Sequence, residues 1–189
     1  MNILGILGSP RSKGNTELLL DKVLEGAVSK GARTDKIILN NLDISPCQEC
    51  ENMDDTGGCI IRDEMAVVYE KIKKTDILIL ASPIFFGSLS AQTKIMIDRF
   101  QCAWRARYIL KKDNGYKRIR SALLLVEGSK REDFFLNAES IAKNFFSIVN
   151  AEYKHKLFCP GVDDKGDILK HSDCIKKAIE LGYEISSKG

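Results

Sequence analysis

A polar loop with two glycines follows a short apolar run near the start of the chain. It reads Gly-Ser-Pro-Arg-Ser-Lys-Gly-Asn-Thr over residues 8–16 and leads into an amphipathic segment. A helix that begins here presents free backbone N–H groups and a partial positive charge, and together these bind phosphate. The candidate phosphate ligands are the polar side chains and the second glycine of this loop: Ser9, Arg11, Ser12, Gly14, Asn15 and Thr16.

The spacing within this loop distinguishes between kinds of phosphate. A Walker A loop needs a lysine directly before the Ser or Thr, but Asn15 stands there, and five residues separate Gly8 from Gly14. A Ser-Pro pair after Gly8 also departs from the dinucleotide pattern G-x-G-x-x-G. A monophosphate therefore fits better than a triphosphate or a pyrophosphate. A purely structural interpretation, in which Asn15 or Thr16 caps the helix and the glycines turn the chain, fits the same residues.

A second segment, residues 81–90, has the composition of a wall for a flat ring system. A ring of this kind needs a rigid, partly apolar surface and a few backbone donors at its polar edge. Proline sets the direction of the turn, and the two phenylalanines offer aromatic surface. One phenylalanine could instead belong to the core, because neighbouring side chains on an extended segment point to opposite sides. The candidate ring contacts are Pro83, Ile84, Phe85, Phe86, Gly87 and Ser88.

Together the two loops resemble those of the NAD(P)H-dependent FMN reductases and the iron–sulfur flavoproteins, both of which are flavodoxin-like. Gly-Ser-Pro-Arg followed by Gly-Asn-Thr is similar to their loop for the FMN phosphate. The turn at residues 82–88, followed by a helix that ends in Asp98-Arg99, is similar to their flavin-ring turn. Two motifs in the correct order are far more specific than either one alone. The resemblance implies FMN as the cofactor and NAD(P)H as the co-substrate.

The resemblance also implies a third flavin contact at the end of the fourth predicted strand. Family members carry a small loop there, beside the pyrimidine edge of the flavin, and Gly128 and Ser129 match it. Glu127 departs from the pattern, because a negative charge facing the ring would disfavour an anionic reduced flavin. We therefore expect the Glu127 side chain to point toward solvent.

Short apolar runs alternate with longer amphipathic segments along the whole chain. The predicted strands are residues 2–7, 34–39, 76–81, 121–127 and 151–158. The predicted helices are residues 15–30, 64–74, 90–103, 133–149 and 169–186. This order predicts a single α/β domain over residues 1–189, with a flavodoxin-like, doubly wound, five-stranded parallel sheet of order 2-1-3-4-5 and helices on both faces. Two long insertions, 40–63 and 104–118, are predicted to be functional.

The first insertion carries cysteines in a spacing typical of metal or redox sites. Iron–sulfur flavoproteins have four cysteines here; Cys47, Cys50 and Cys59 match the first, second and fourth, and Met53 stands at the third. A [4Fe–4S] cluster is normally held by four thiolates, so a cluster would need an unusual ligand or an open iron site. Three alternatives stay open: zinc, a redox-active C-x-x-C pair, and a loop that binds nothing and whose thiols only pack around the flavin or at a subunit contact. The scattered cysteines are predicted to be core or surface thiols: Cys102, Cys159 and Cys174.

The bulk properties argue against several other function classes. A net charge of +3 over 189 residues is too small to imply a nucleic-acid or membrane partner. No apolar stretch approaches the roughly 18 residues that a membrane span requires. The chain start lacks the pattern of a signal peptide, so we expect a cytoplasmic location in which six cysteines stay mostly reduced.

The predicted function is an FMN-dependent NAD(P)H oxidoreductase. In this hypothesis NAD(P)H stacks on the open flavin face and passes hydride to N5, and the flavin then reduces a second small-molecule acceptor such as a quinone or a flavin. No side chain is assigned as a general acid or base. Two alternatives stay open: an electron carrier of the iron–sulfur flavoprotein type and a non-catalytic, ligand-binding member of the fold. The resemblance also implies a homodimer or a dimer of dimers, with the 104–118 insertion partly covering a neighbour's flavin.

Overall fold

A parallel sheet of five strands forms the centre of the computed structural model, which describes residues 1–50 and 58–187. Its strands are β1 (Asn2–Leu7), β2 (Arg33–Ile38), β3 (Ile77–Phe85), β5 (Ile119–Glu127) and β6 (Ala151–Pro160). A two-residue strand, β4 (Ser88–Leu89), pairs antiparallel with the end of β3. The order of the parallel strands is β2-β1-β3-β5-β6. Because β4 is not one of them, this is the predicted order 2-1-3-4-5, and the flavodoxin-like, doubly wound fold is confirmed.

In the described residues, 1–50 and 58–187, six helices cover the two faces of this sheet. They are α1 (Asn15–Ser29), α2 (Met65–Lys74), α3 (Ala91–Asp98), α4 (Gln101–Tyr108), α5 (Glu132–Ile148) and α6 (Ser172–Ser186). Side chains alternate along each strand, so Leu78 and Leu80 of β3 pack toward α2–α5, whereas Ile77 and Ile79 pack toward α1 and α6. Burial on both faces explains why the strands are continuously apolar. Within the described part of the chain, no helix is both long enough and apolar enough to cross a membrane.

The helix predicted over 90–103 is two helices, with a break at Arg99 and Phe100. Phe100 packs edge to face against Tyr69 and Phe145, with ring centroids 5.1 and 5.0 Å apart. Arg99 is fully buried and its guanidinium leaves the helix axis toward the first insertion. The chain therefore bends where two large side chains need burial in different places. The new helix, α4, takes up the first part of the predicted 104–118 insertion.

Helix α1, which begins at the polar loop of residues 8–16, is held in place by a close crossing with α6. A Cβ atom on Gly182 would lie 2.2 Å from the backbone oxygen of Val23, and one on Gly26 would lie 2.4 Å from the backbone oxygen of Ile179. The backbones of α1 and α6 thus come closest at Gly26 and Gly182, where neither helix carries a side chain. This packing fixes the position of the α1 N-terminus relative to the sheet.

Candidate functional site

The first and third strands deliver their loops to the same edge of the sheet. The backbone N–H of Gly8 donates to the oxygen of Ala81 at 2.8 Å, and the Ser90 hydroxyl donates to the oxygen of Gly8 at 2.6 Å. Pro83 lies beside Val126 in the register of β3 and β5, so the loop after β5 reaches this edge too. The structure therefore brings together the three segments that the sequence singled out.

A buried cluster of hydroxyl groups, formed by Ser82, Ser90 and Thr93, joins the first two loops. All three side chains are fully buried, and the Thr93 hydroxyl lies 3.1 Å from that of Ser82 and 2.9 Å from that of Ser90. A Cβ atom on Gly8 would lie only 1.7 Å from the Thr93 hydroxyl oxygen. Sequence reasoning missed this hydroxyl cluster, although small polar residues among apolar ones were a signal for it. The cluster sets the distance between the two loops.

The polar loop forms an open cradle at the start of α1. The helix N-cap is Gly14, and no described side chain caps the helix, so capping does not account for Asn15 and Thr16. The backbone N–H groups of the first turn consequently have no partner within the helix and are available to an anion. Arg11 and Ser12 are exposed at the mouth of the loop, while Ser9 is buried and accepts from the Arg11 N–H at 3.2 Å.

Asn15 has a structural role that the sequence did not indicate. Its side-chain amide donates to the oxygen of Asp164 at 2.8 Å, and its amide oxygen accepts from the Ile168 N–H at 3.2 Å. The Arg11 guanidinium also donates to the oxygen of Asp163 at 3.4 Å. Asn15 therefore ties the loop after β6 to the cradle through its side chain. Nothing in the spacing of residues 161–168 marked this loop as part of the site.

Glu17 places a carboxylate in the first turn of α1, close to where an anion would bind. Its two oxygens accept from the Lys13 N–H at 2.6 Å and from the Lys36 ammonium at 2.9 Å. Burial tends to raise the pKa of Glu17, but the hydrogen bonds from Lys36 and the Lys13 N–H together hold the pKa below its ordinary value. The carboxylate is thus ionised. Lys36, which also pairs with Asp21 at 2.8 Å, offsets part of its charge and so reduces its repulsion of a phosphate.

The aromatic turn exposes both phenylalanines. Phe85 is 41% exposed and Phe86 is fully exposed, whereas Pro83 and Ile84 are buried beneath them. The interpretation of one phenylalanine as a core residue is therefore wrong. The exposed pair follows from the backbone, because Phe86 and Gly87 both adopt positive φ angles, of +50° and +73°.

Helix α5 supports this aromatic turn from behind. The Asn137 side chain donates to the oxygen of Gly87 at 2.7 Å, and a Cβ atom on Gly87 would lie 2.9 Å from the ring of Phe134. Ser88, the last predicted ring contact, is half-buried in β4. The backbone of the turn is therefore held by Asn137 of α5 and by the pairing of β4 with β3.

The loop after β5 differs from expectation at its first residue. Gly128 and Ser129 are exposed, as expected for a ligand contact, but Glu127 is buried rather than directed toward solvent. Strand alternation explains the error, since Glu127 follows Leu123 and Leu125 on the face that packs against α5. One carboxylate oxygen accepts from the Ser129 hydroxyl, and the other has no partner among residues 1–50 and 58–187.

The cysteines of the first insertion lie around a cavity of about 510 Å³. Arg99, at the C-terminal end of α3, lines this cavity, whereas the hydroxyl cluster lies at the N-terminal end of α3. Cys47, Cys50 and Cys59 line it together with Cys102, for which the sequence predicted only a core or surface thiol. Met53 lies outside the described residues. Elsewhere in the described chain, as here, no group of three or more His, Cys, Asp or Glu side chains converges closely enough to hold a single metal ion.

Arg99 fastens the two ends of this insertion to α3. Its guanidinium donates to the oxygen of Ser45 at 2.8 Å, forms an ion pair with Asp63, and lies 3.3 Å from the Cys59 sulfur. Asp63 also accepts from the N–H groups of Ser45 and Met65, both at 3.0 Å. Burial tends to raise the pKa of Asp63, but the Arg99 guanidinium and these two N–H groups together lower the pKa by more than burial raises it. The carboxyl therefore stays ionised.

Comparison with known proteins identifies the family. Residues 1–133 match the model of the NADPH-dependent FMN reductase family. An iron–sulfur flavoprotein of Methanosarcina thermophila is 36% identical over 130 residues, which cover 69% of this chain and 65% of that protein. An iron–sulfur flavoprotein of Methanocaldococcus jannaschii is 39% identical over 99 residues, which cover 52% of this chain and 51% of that protein. The chain thus spans between half and two thirds of the length of these relatives.

A solved structure supports the fold over the full length. The NAD(P)H:quinone oxidoreductase from Methanothermobacter marburgensis superposes with a TM-score of 0.72, covering 100% of this chain and 98% of that chain at 17% identity. At this identity the likeness concerns the fold alone. The match of residues 1–133 shows that the chain belongs to the NADPH-dependent FMN reductase family, so the predicted resemblance is confirmed and FMN is its family cofactor.

Proposed function

We propose that the chain is an FMN-dependent NAD(P)H oxidoreductase. The observation that carries the proposal is the meeting of the polar loop and the aromatic turn at one sheet edge, joined by the Ser90 hydrogen bond to Gly8. FMN, when bound, supplies the chemistry by accepting hydride from NAD(P)H and reducing a second small molecule, for which we propose a quinone or a free flavin. A cytoplasmic location, with reduced thiols and available NAD(P)H, suits this reaction.

The residues of the cradle would bind the FMN phosphate. The free N–H groups at the start of α1 donate to the phosphate oxygens, and the exposed Arg11 supplies a planar, charged donor. Lys36, shared with Asp21, would reduce the repulsion between the nearby Glu17 and the dianion. The open shape of this loop, with glycine at its N-cap, fits a single phosphate group.

The residues of the aromatic turn and of the loop after β5 would hold the ring. Pro83 and Ile84 form a buried wall, and the exposed Phe85 and Phe86 rings can cover an apolar surface and exclude water from it. The bond from Asn137 to Gly87 keeps the backbone donors of the turn in place. We assign no general acid or base.

The test of the function is a spectrum combined with turnover. Purified protein is expected to show the absorption of oxidised flavin and to consume NADH or NADPH steadily when a quinone or free flavin is added. Protein that stays colourless and does not quench added FMN fluorescence would contradict the FMN proposal. FMN binding without any consumption of NADH or NADPH would instead favour the non-catalytic alternative.

Replacing Arg11 by alanine is expected to weaken FMN binding by about 10- to 100-fold, since a hydrogen bond to a charged group contributes about 1.5–3 kcal/mol. Affinity for riboflavin, which lacks the phosphate, should change little. Fluorescence quenching titrations of both flavins measure the difference. Arg33→Ala is the matched control, because it also removes an exposed arginine, at the start of β2. It should leave both affinities unchanged. An equal loss for both flavins would count against a phosphate contact.

A second candidate function is electron transfer of the iron–sulfur flavoprotein type. The observation that favours it is the cavity shared by four cysteines, beside the resemblance of Cys47, Cys50 and Cys59 to the family's ligands. Iron and acid-labile sulfide measured after anaerobic purification separate the two candidates. Iron and sulfide in equal amounts support electron transfer, and their absence leaves the oxidoreductase.

We also propose that the chain works as a homodimer or a dimer of dimers, as the family resemblance implies. Trp104 and Tyr108 of α4 and the neighbouring Ile109 leave apolar surface exposed at the predicted contact region. Light scattering on the FMN-loaded protein gives the mass directly. A monomer at micromolar concentration would contradict this proposal.

A further inference from the structure

We infer that Cys102 of α4 is the fourth thiolate ligand of a [4Fe–4S] cluster whose other ligands are Cys47, Cys50 and Cys59. In this arrangement a helix residue replaces the loop cysteine that the family pattern has at the position of Met53. The inference rests on the second proposed function, electron transfer, and does not depend on where FMN binds.

The set of donors around the cavity is the first argument. Four thiolates are the usual ligand set of this cluster, and the sequence pattern of the loop offers three. The cavity supplies a fourth, because Cys102 lines the same cavity as the three loop cysteines. Iron and sulfide atoms stand between the ligands of a cluster, so its thiolates lie further apart than those around one metal ion. The cavity, of about 510 Å³, has room for a group of several atoms rather than for one ion alone.

The charge around the cavity is the second argument. A [4Fe–4S] centre with four thiolates carries net negative charge, and burying it requires nearby donors or positive charge. Arg99 and Arg105 both line the cavity, and the Nε atom of each is buried without a hydrogen-bond partner among the described residues. The charge of Arg99 is already paired with Asp63, so what remains unmet at the two arginines is the Nε hydrogen of each. A negatively charged group in the cavity, which Glu49 also lines, would accept from these two N–H groups.

The arrangement of α4 is the third argument. Arg99, Cys102 and Arg105 follow one another at intervals of three residues, which places side chains on one side of a helical segment. The Cys102 sulfur lies 3.3 Å from the backbone oxygen of Arg99, and the Arg99 guanidinium lies 3.3 Å from the Cys59 sulfur. The same arginine thus touches both the loop that carries three cysteines and the turn that carries the fourth.

The experiment is anaerobic reconstitution of the FMN-loaded protein with ferrous iron and sulfide. The unsubstituted chain is expected to bind about four irons and about four sulfides per chain. Cys102→Ser is expected to lose at least one iron in four and to show, after oxidation, the electron paramagnetic resonance signal of a three-iron cluster. FMN content is measured in the same samples and should not change, so a failure of the flavin proposal is seen separately.

Two matched variants separate ligation from packing. Cys174→Ser removes a half-buried thiol of α6, on the opposite face of the sheet, and should keep full iron content. Tyr69→Phe removes the hydroxyl that lies 3.7 Å from the Cys102 sulfur but keeps the thiol, and should also keep full iron. The inference is overturned if the unsubstituted chain binds no iron, if Cys102→Ser binds as much iron as the unsubstituted chain, or if Tyr69→Phe loses as much as Cys102→Ser.

Discussion

Gly8→Ala is expected to produce a protein that does not retain FMN and that is less stable by about 2–3 kcal/mol, as overpacking of a tight core site predicts. The added Cβ atom would lie 1.7 Å from the Thr93 hydroxyl oxygen and 3.0 Å from that of Ser90. The hydroxyl cluster, which sets the distance between the cradle and the aromatic turn, would have to move. Urea unfolding and FMN fluorescence quenching measure the two effects.

Two further variants show whether the hydroxyl cluster is the cause. Gly5→Ala adds the same methyl group within β1, but its nearest neighbour is the flexible end of Leu20 at 3.1 Å, so its effect should be much smaller. Adding Thr93→Ala to Gly8→Ala removes the closest atom and should restore part of both the stability and the FMN affinity. Normal FMN affinity in Gly8→Ala alone would show that the two loops do not depend on this spacing.

Asp63→Asn is expected to lower the free energy of unfolding by about 3–5 kcal/mol, because it leaves the buried Arg99 charge without its counter-ion. The cysteine insertion should also become more accessible, since Arg99 joins its two ends. Equilibrium urea unfolding at neutral pH measures the first effect. Asp98→Asn is the matched control: Asp98 pairs with Lys94 on an exposed surface, and its loss should cost about 0–1 kcal/mol. Equal effects of the two variants would contradict a buried ion pair.

The same pair predicts a dependence on pH. Asp63 has a pKa below its ordinary value of 3.8 in the folded chain, because the lowering by Arg99 and two backbone N–H groups exceeds the raising by burial. A carboxyl of this kind stabilises the fold fully above its ordinary pKa, and the stabilisation is lost as the pH falls through the lower, folded value. The stability difference between the unsubstituted chain and Asp63→Asn should therefore be constant at neutral pH and shrink below about pH 4. A difference that does not shrink would assign the effect to packing.

The sequence was sufficient for the order of elements and for the three segments at the sheet edge. These features are local, because apolar periodicity marks strands and helices, and glycine, proline and hydroxyl residues mark the loops between them. The order of parallel strands then follows from the doubly wound pattern, which places loops 8–16 and 82–88 together. Three predictions were wrong: the single helix over 90–103, which breaks where Arg99 and Phe100 pack against distant residues, the exposure of Glu127, and the burial of one phenylalanine of the aromatic turn.

By itself, therefore, the sequence determined the fold family and the cofactor class, and it singled out the loops for which we propose cofactor binding. Only the tertiary structure decided which side chains complete the site: Asn15 holds the loop after β6, Arg99 holds the cysteine insertion, and Cys102 joins the three loop cysteines at one cavity. The physical reason is that each of these roles depends on a contact between residues far apart in the chain. Such contacts follow from the packing of helices and loops on the sheet, and the spacing of residues along the chain does not predict them.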